Sequence, residues 1–146
     1  MTLRRHFEIV VPGEPRGAGR PRFGRGRDGS ARAYTAKADR DYAGRIATAW
    51  RDAGCPYIPG GAWTCELTAY MERPRDHYRA DGTLSPRGER AEHPGRKPDA
   101  DNILKVVDAL VAVQAVPDDR FLIDARVVKR WADEGEARLV VRVECA

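Results

Sequence analysis

Two stretches of the chain alternate apolar and polar residues, which is the pattern of a strand that buries one face. The first is residues 6–11, and the second is residues 63–71, which Pro74 ends. Two later stretches, residues 123–131 and 138–144, are predicted to be further strands, joined by the turn sequence DEGE. The sequence therefore predicts four strands.

Apolar residues at helical spacing mark two other segments. In residues 39–53, the side chains of Tyr42, Ile46 and Trp50 recur every four positions. In roughly residues 100–115, apolar side chains cover most of the helix circumference. The first segment is predicted to be an amphipathic helix and the second a largely buried one.

The predicted order is β-α-β-α-β-β, which favours an α+β fold. The last two strands are separated by too few residues for a crossover, so we expect them to pair as a hairpin. The earlier strands are separated by helices and could pair in either direction, which predicts a mixed sheet with helices packed on one face. At 146 residues, the chain is long enough for one domain, residues 1–146, and too short for two ordinary ones.

The composition is that of a soluble globular protein, with 42% hydrophobic and 33% charged residues. No stretch approaches the roughly 20 apolar residues of a membrane span, and the N-terminal segment has no apolar signal-peptide core. We therefore expect a cytoplasmic location and no membrane partner.

The three cysteines, Cys55, Cys65 and Cys145, have no C-x-x-C spacing, and no histidine lies at a zinc-finger interval from them. A zinc site or a disulfide framework is therefore not expected. We expect the cysteines to be reduced, partly buried apolar residues.

The net charge of +4 is unevenly distributed. Residues 12–37 and 73–98 together carry +8, and the remainder carries −4. Both segments are rich in Gly and Pro and lack a helix or strand period, which predicts mobile loops. Such loops could simply be solubilising, but two of them, one leading into an acidic cluster, favour a polyanionic partner such as nucleic acid. The candidate DNA-binding residues are Arg16, Arg20, Arg22, Arg25, Arg27, Lys37, Arg96, Lys97 and Lys129.

The sequence RKPDADNILKVVDAL, residues 96–110, places Asp99, Asp101, Lys105 and Asp108 in an otherwise apolar helix. Because Lys105 follows Asp101 by four positions and precedes Asp108 by three, these side chains are expected to share one face. An Asp at the helix start could simply be an N-cap, with Lys105 as a partner one turn later. A cap needs only one Asp, however, and this helix start has two.

A second acidic pair, Asp118 and Asp119, follows this helix and could lie beside its start if the chain folds back. Pro-Asp-Asp is also a common turn sequence. Like charges held close repel, so such a cluster is costly unless a cation neutralises it. Oxygen ligands without His or Cys suit Mg²⁺ or Mn²⁺ rather than zinc. Such a metal can activate water and stabilise charge on phosphate, which predicts a metal-dependent nuclease whose basic loops hold the nucleic-acid backbone.

Two stretches, KPDADNILKVVDAL and VPDDRFLIDARVVKRW, resemble the RusA family of Holliday junction resolvases, whose hallmark is a D-x-D-N-x-x-K helix and a later Asp-Asp pair. The N-terminal VPGEPRGAGRPRF, followed by AYTAKADRDY, is similar to the family's first strand and basic loop. The resemblance thus extends over nearly the whole chain. It implies a homodimeric, Mg²⁺-dependent endonuclease, with Mn²⁺ as a possible substitute, that makes paired symmetric nicks at four-way DNA junctions in recombination and repair.

The resemblance also implies roles for individual residues. Asp99, Asp101 and Asp119 match the essential metal-binding aspartates, and Lys105 matches the functional lysine of the catalytic set. Asp118 matches the less critical member of the pair. Asp108 matches the Asp of the family's D-A-L sequence and is expected to have a structural bond.

Two residues separate Lys105 from Asp108, where the family more often has three. A local bulge in the helix, or a different use of Asp108, could absorb the difference. Two other functions remain open: a non-catalytic DNA-binding protein, or a metal nuclease for other branched DNA. The aromatic side chains are more often core residues than DNA-stacking or interface residues; the candidates are Phe23, Tyr34, Trp50, Trp63 and Trp131.

Overall fold

The computed structural model describes residues 3–18, 22–34 and 36–145. The strands are β1 (Arg5–Pro12), β2 (Arg22–Arg25), β3 (Ala31–Tyr34), β4 (Trp63–Met71), β5 (Leu122–Trp131) and β6 (Arg138–Cys145). The helices are α1 (Lys37–Asp52), α2 (Pro86–Arg90), α3 (Ala100–Leu104) and α4 (Val106–Ala112), with 3₁₀ turns at Arg75–His77 and Asp119–Phe121. No helix among the described residues is long and apolar enough to cross a membrane.

Four of the strands form one mixed sheet in the order β1-β6-β4-β5. Strand β4 pairs in parallel with β5, and the β1–β6 and β4–β6 pairs are antiparallel. The predicted α+β class and mixed sheet are therefore confirmed.

The prediction that the last two strands form a hairpin is wrong, because β4 lies between β5 and β6. Two strand spacings are only about 10 Å, a distance that the connection over residues 132–137 can span. The apolar strands β4 and β6 occupy the two central positions, and β5, whose side chains are mostly exposed, lies at an edge. Burial of the apolar strands, rather than the length of the connection, determines the order.

One face of the sheet carries the hydrophobic core. The cross-strand register aligns Leu67 of β4 with Val141 of β6, and Val141 with Ile9 of β1, and all three are buried. The helices contribute Ile46 from α1 and Leu110 from α4 to the same cluster. The helices thus pack on one face, as predicted.

The opposite face is polar and bears ion pairs between neighbouring strands. Arg142 of β6 contacts Glu8 of β1 at 2.6 Å and Glu66 of β4 at 3.2 Å. This charged face carries none of the aspartates of the predicted site helix.

The predicted helix over residues 100–115 is interrupted, with α3 ending at Leu104 and α4 beginning at Val106. The amide of Asp108 donates to the carbonyl of Lys105 at 3.0 Å, a three-residue closure that tightens the turn. Asp108 is exposed, and its side chain bonds no other residue that the structure describes, so the expected structural bond is not found.

The second basic segment is anchored rather than loose. The Arg73 side chain is 6% exposed and donates to Asp133 at 2.7 Å and to the backbone oxygens of Gly88 and Ala91. Its guanidinium also lies 5.1 Å from the ring centroid of Trp131. One buried arginine therefore ties residues 73–91 to the end of β5.

The first basic segment was predicted to be a loop without strands, but it contains the antiparallel pair β2–β3. These short strands are rich in arginine and glycine and do not alternate apolar with polar residues, so the sequence pattern did not predict them. Elsewhere the cysteines are free thiols, as expected, and burial raises the pKa of Cys65 to about 12, which keeps it protonated.

Candidate active site

The site begins where the chain enters α3. Asp99 is the N-cap residue, with extended backbone angles, yet its side chain makes no capping hydrogen bond. Asp101 lies in the first turn, and both carboxylates are exposed without a bonding partner among the described residues. Capping therefore does not account for these two aspartates.

Lys105 lies at the break between α3 and α4 and is half-buried. Its Nζ donates to Oδ1 of Asn102 at 3.1 Å, rather than pairing with Asp101 one turn earlier. Among the described residues, the ammonium has this one neutral amide as its partner, and no carboxylate there offsets its charge. A cation held in this way can interact with an anionic ligand at the start of the helix.

The chain just after β1 packs directly on the start of α3. The amide of Ala18 donates to the carbonyl of Asn102 at 3.1 Å. A Cβ on Gly17 would lie 2.6 Å from Cβ of Asn102, closer than real Cβ contacts, so only glycine allows this approach. The first basic segment is therefore joined to the aspartate-bearing helix.

A cleft of about 330 Å³ opens at this junction. It is lined by Pro15, Arg16, Gly17, Lys97, Pro98 and Asn102. Two cationic side chains, those of Arg16 and Lys97, thus line a cleft that is also lined by Asn102, the neighbour of Asp101 in α3. The arrangement suits a phosphate group placed beside the carboxylates.

The two later aspartates differ in their surroundings. Asp118 accepts a hydrogen bond from the amide of Arg120 at 3.0 Å, which is the main cause of its lowered pKa. Its backbone oxygen accepts from Nε1 of Trp63 at 3.4 Å. Asp118 therefore shapes the turn, as the Pro-Asp-Asp sequence suggested, whereas Asp119 is exposed within the 3₁₀ turn.

Among the described residues, no group of three or more His, Cys, Asp or Glu side chains could hold a metal ion. Asp99 and Asp101 are two positions apart at the start of α3, and Asp119 belongs to a turn that contacts α4. The single chain therefore does not assemble the three predicted metal ligands into one group.

The chain matches the family model described as Endodeoxyribonuclease RusA over residues 12–144. The chain belongs to the RusA family. The matched region includes both acidic pairs, Lys105 and the first basic segment. RusA proteins are endodeoxyribonucleases, and the chain is accordingly a member of a nuclease family. No curated protein matches the chain.

The predicted DNA-binding residues of this RusA-family chain fall into three groups. Arg22, Arg25 and Arg27 are exposed on the β2–β3 ribbon, and Lys97 is exposed in the cleft. Others have intramolecular partners: Arg16 pairs with Asp39, Lys37 with Asp41, Arg96 with Glu14, and Lys129 donates to the carbonyl of Arg96. Arg20 lies outside the described residues. The exposed side chains of Arg22, Arg25, Arg27 and Lys97 are thus the most accessible to a phosphate backbone.

Two residues of the site were not assigned from the sequence. Asn102 holds Lys105 through its side chain and Ala18 through its backbone oxygen, and Gly17 makes that contact possible. The Asn of the D-x-D-N-x-x-K sequence and the run of small residues at 17–19 were the available signals. Neither signal identifies its partner, because the contacts join segments that lie far apart in the chain.

Proposed function

We propose that this protein is a Mg²⁺-dependent homodimeric endonuclease that resolves four-way DNA junctions by paired symmetric nicks. The main support for the proposal is the pair of exposed carboxylates of Asp99 and Asp101, which have no partner among the described residues. They lie beside a cleft lined by Arg16 and Lys97. Membership of the RusA family supplies the class of reaction. A homodimer provides the two sites that symmetric nicks require.

The donor set fits Mg²⁺ better than a metal that needs a complete protein cage. Mg²⁺ commonly takes one or two protein carboxylates and fills its remaining positions with water and substrate phosphate oxygens. Asp99 and Asp101 would hold it, and Asp119, which the single chain does not bring into one group with them, would be a third ligand only after a rearrangement on binding of the metal, the DNA or a second chain. When bound, the metal supplies Lewis-acid stabilisation of the phosphate and a more acidic water.

The remaining roles belong to the chain's own side chains. Lys105, held by Asn102, would stabilise negative charge that develops on the scissile phosphate. Lys97 and the arginines of the first basic segment would bind the flanking phosphates. Because Lys105 forms no salt bridge with any carboxylate in the part of the chain that the structure describes, its charge would be available to the substrate.

The absence of a three-ligand group within the described residues favours a second candidate, a DNA-binding protein that does not cut. One experiment separates the two. The wild-type protein is incubated with a synthetic four-way junction and with a duplex of the same arm sequence, in Mg²⁺ or in EDTA. The proposal predicts binding in both buffers and nicks at symmetric positions in two strands only with Mg²⁺, whereas uncut junctions under all conditions would support the binding protein.

A further inference from the structure

The β2–β3 ribbon is a separate two-stranded sheet, and among the described residues its strands pair only with each other. Its register aligns Phe23 with Ala33 and Gly24 with Arg32. Because side chains alternate along each strand, Phe23 and Tyr34 lie on opposite faces of the ribbon. A Cβ on Gly24 would lie 3.1 Å from the Tyr34 ring, so the tyrosine covers the ribbon backbone on its own face.

Phe23 is the unusual side chain of this ribbon. It is 79% exposed, whereas Trp50, Trp63 and Trp131 are all buried. The side chains on the same face of the ribbon are Arg25, two positions further along β2, and Ala31 and Ala33 of β3. The alanine side chains are too small to cover the Phe23 ring. An exposed phenylalanine carries a hydration cost that contact with a flat apolar partner would remove.

The described segments on either side of the ribbon contact the candidate active site. Before β2, Ala18 is hydrogen-bonded to Asn102 of α3. After β3, Asp39 in the first turn of α1 pairs with Arg16 at 2.8 Å. The described segments that flank the ribbon thus lie beside the cleft, and three residues separate Ala18 from β2, so a ligand seated in the cleft would lie within a few residues of chain from the ribbon.

The charge of the ribbon indicates the chemistry of its partner. Arg22, Arg25, Arg27 and Arg32 accompany Phe23, against the single acid Asp28. An isolated two-stranded ribbon is marginally stable in water and gains from a binding partner. Arginines that can contact phosphates, together with an open aromatic ring, match single-stranded or unstacked nucleic acid, where bases stack on aromatic side chains.

We propose that Phe23 is a specificity-determining residue that stacks on a nucleobase exposed at the branch point of the DNA. The inference rests on the proposed function, because the substrate must be branched DNA for such a base to be present beside the cleft. In an intact duplex the bases are stacked on one another, so Phe23 would add little to duplex binding. The ribbon arginines contribute to both substrates, whereas the aromatic ring distinguishes them.

The test measures equilibrium binding in EDTA, where no strand is cut, to a four-way junction and to a duplex of the same arm sequence. Phe23→Ala should weaken junction binding about 5- to 150-fold, the range for loss of one base–aromatic stack, and change duplex binding by about twofold or less. Phe23→Trp should retain junction binding. The fluorescence that this variant shows in excess of the wild type should be quenched by the junction and not by the duplex. Tyr57→Ala, which removes an aromatic ring that is 57% exposed and has no neighbouring arginine in the sequence, is the matched control and should bind both DNAs normally.

The outcomes separate this inference from the proposed function. A wild-type protein that binds the junction no more tightly than the duplex would overturn the role of Phe23, whereas a wild-type protein that does not nick the junction in Mg²⁺ would overturn the proposed function. A wild-type preference that Phe23→Ala retains would overturn the role of Phe23 alone, as would an equal loss on junction and duplex. Because Phe23 is exposed, the alanine variant should melt at the wild-type temperature, and a lower melting temperature together with lost binding to both DNAs would indicate a folding role.

Discussion

Replacement of Lys105 by methionine tests whether the charge at the break between α3 and α4 acts on the substrate. Methionine keeps an unbranched stem of similar length and removes the ammonium. In the free protein the loss is a single hydrogen bond, from Nζ to Oδ1 of Asn102 at 3.1 Å. A hydrogen bond of this kind contributes about 1 kcal/mol to stability, so the free energy of unfolding should fall only slightly.

The effect on cleavage should be much larger. If the ammonium faces charge that develops on the phosphate, its removal should cost about 2.7 kcal/mol of transition-state stabilisation, which is about a hundredfold in rate. The measurement is the single-turnover rate of cleavage of a four-way junction at saturating Mg²⁺ and saturating enzyme. Under these conditions all of the DNA is bound, so the measured rate is that of cleavage within the complex and does not depend on the affinity of the variant for DNA.

Lys97→Met is the matched control, because it makes the same chemical change at an exposed lysine of the adjoining cleft. It should weaken DNA binding and leave the saturated rate within about threefold of wild type, as expected for a backbone contact made equally in ground and transition states. The reasoning is refuted if Lys105→Met cuts at the wild-type rate and instead unfolds at lower temperature or denaturant concentration.

Three further predictions concern the structure that supports the site. Gly17→Ala should lower the free energy of unfolding by about 1–3 kcal/mol, because its Cβ would overlap Asn102, whereas Gly44→Ala, which meets nothing within 4 Å on α1, should be neutral or stabilising in the same denaturant titration. Arg73→Ala should cost about 2–4 kcal/mol, since four acceptor atoms on three residues lose a nearly buried donor; a wild-type unfolding curve would contradict this. The Arg73 hydrogen bond holds the pKa of Asp133 below its ordinary value of 3.8, so the stabilisation is complete above that pH and is lost as the pH falls through the folded-state pKa. Melting temperatures from about pH 5 to pH 2 should therefore fall more steeply for wild type than for Asp133→Asn, and parallel curves would exclude the coupling.

Strands β1, β4 and β6 have apolar side chains buried at alternate positions, whereas in β5 only Trp131 is buried. Strand β4 occurs at the predicted residues 63–71, where alternate side chains are buried in the core. The order of the strands in the sheet could not be predicted. Alternation of apolar and polar residues indicates which face of a strand is buried, but it does not indicate which strands lie next to each other. The position of β6 between β1 and β4 depends on burial of the whole sheet.

The site was predictable in its residue types and less so in its arrangement. The resemblance identified Asp99, Asp101 and Lys105 as candidate site residues, and their roles stay a prediction. The break at Lys105 and its bond to Asn102 were not predicted, because a regular helix places Lys105 one turn from Asp101 instead. The exposed position of Phe23 was also hidden, because an isolated aromatic residue in an Arg-rich segment has no period to follow.

The most direct test of the account compares Asp101→Asn with Asp52→Asn, an isosteric change of an exposed aspartate at the end of α1. Single-turnover cleavage of a four-way junction is measured over a Mg²⁺ titration, together with binding in EDTA. We expect Asp101→Asn to bind the junction at least as tightly as wild type, because one negative charge facing phosphate is removed, and to cut about a thousandfold more slowly, the equivalent of about 4 kcal/mol. Asp52→Asn should bind and cut normally. Wild-type cleavage by Asp101→Asn, with an unchanged Mg²⁺ requirement, would contradict the central claim that the carboxylates at the start of α3 hold the metal.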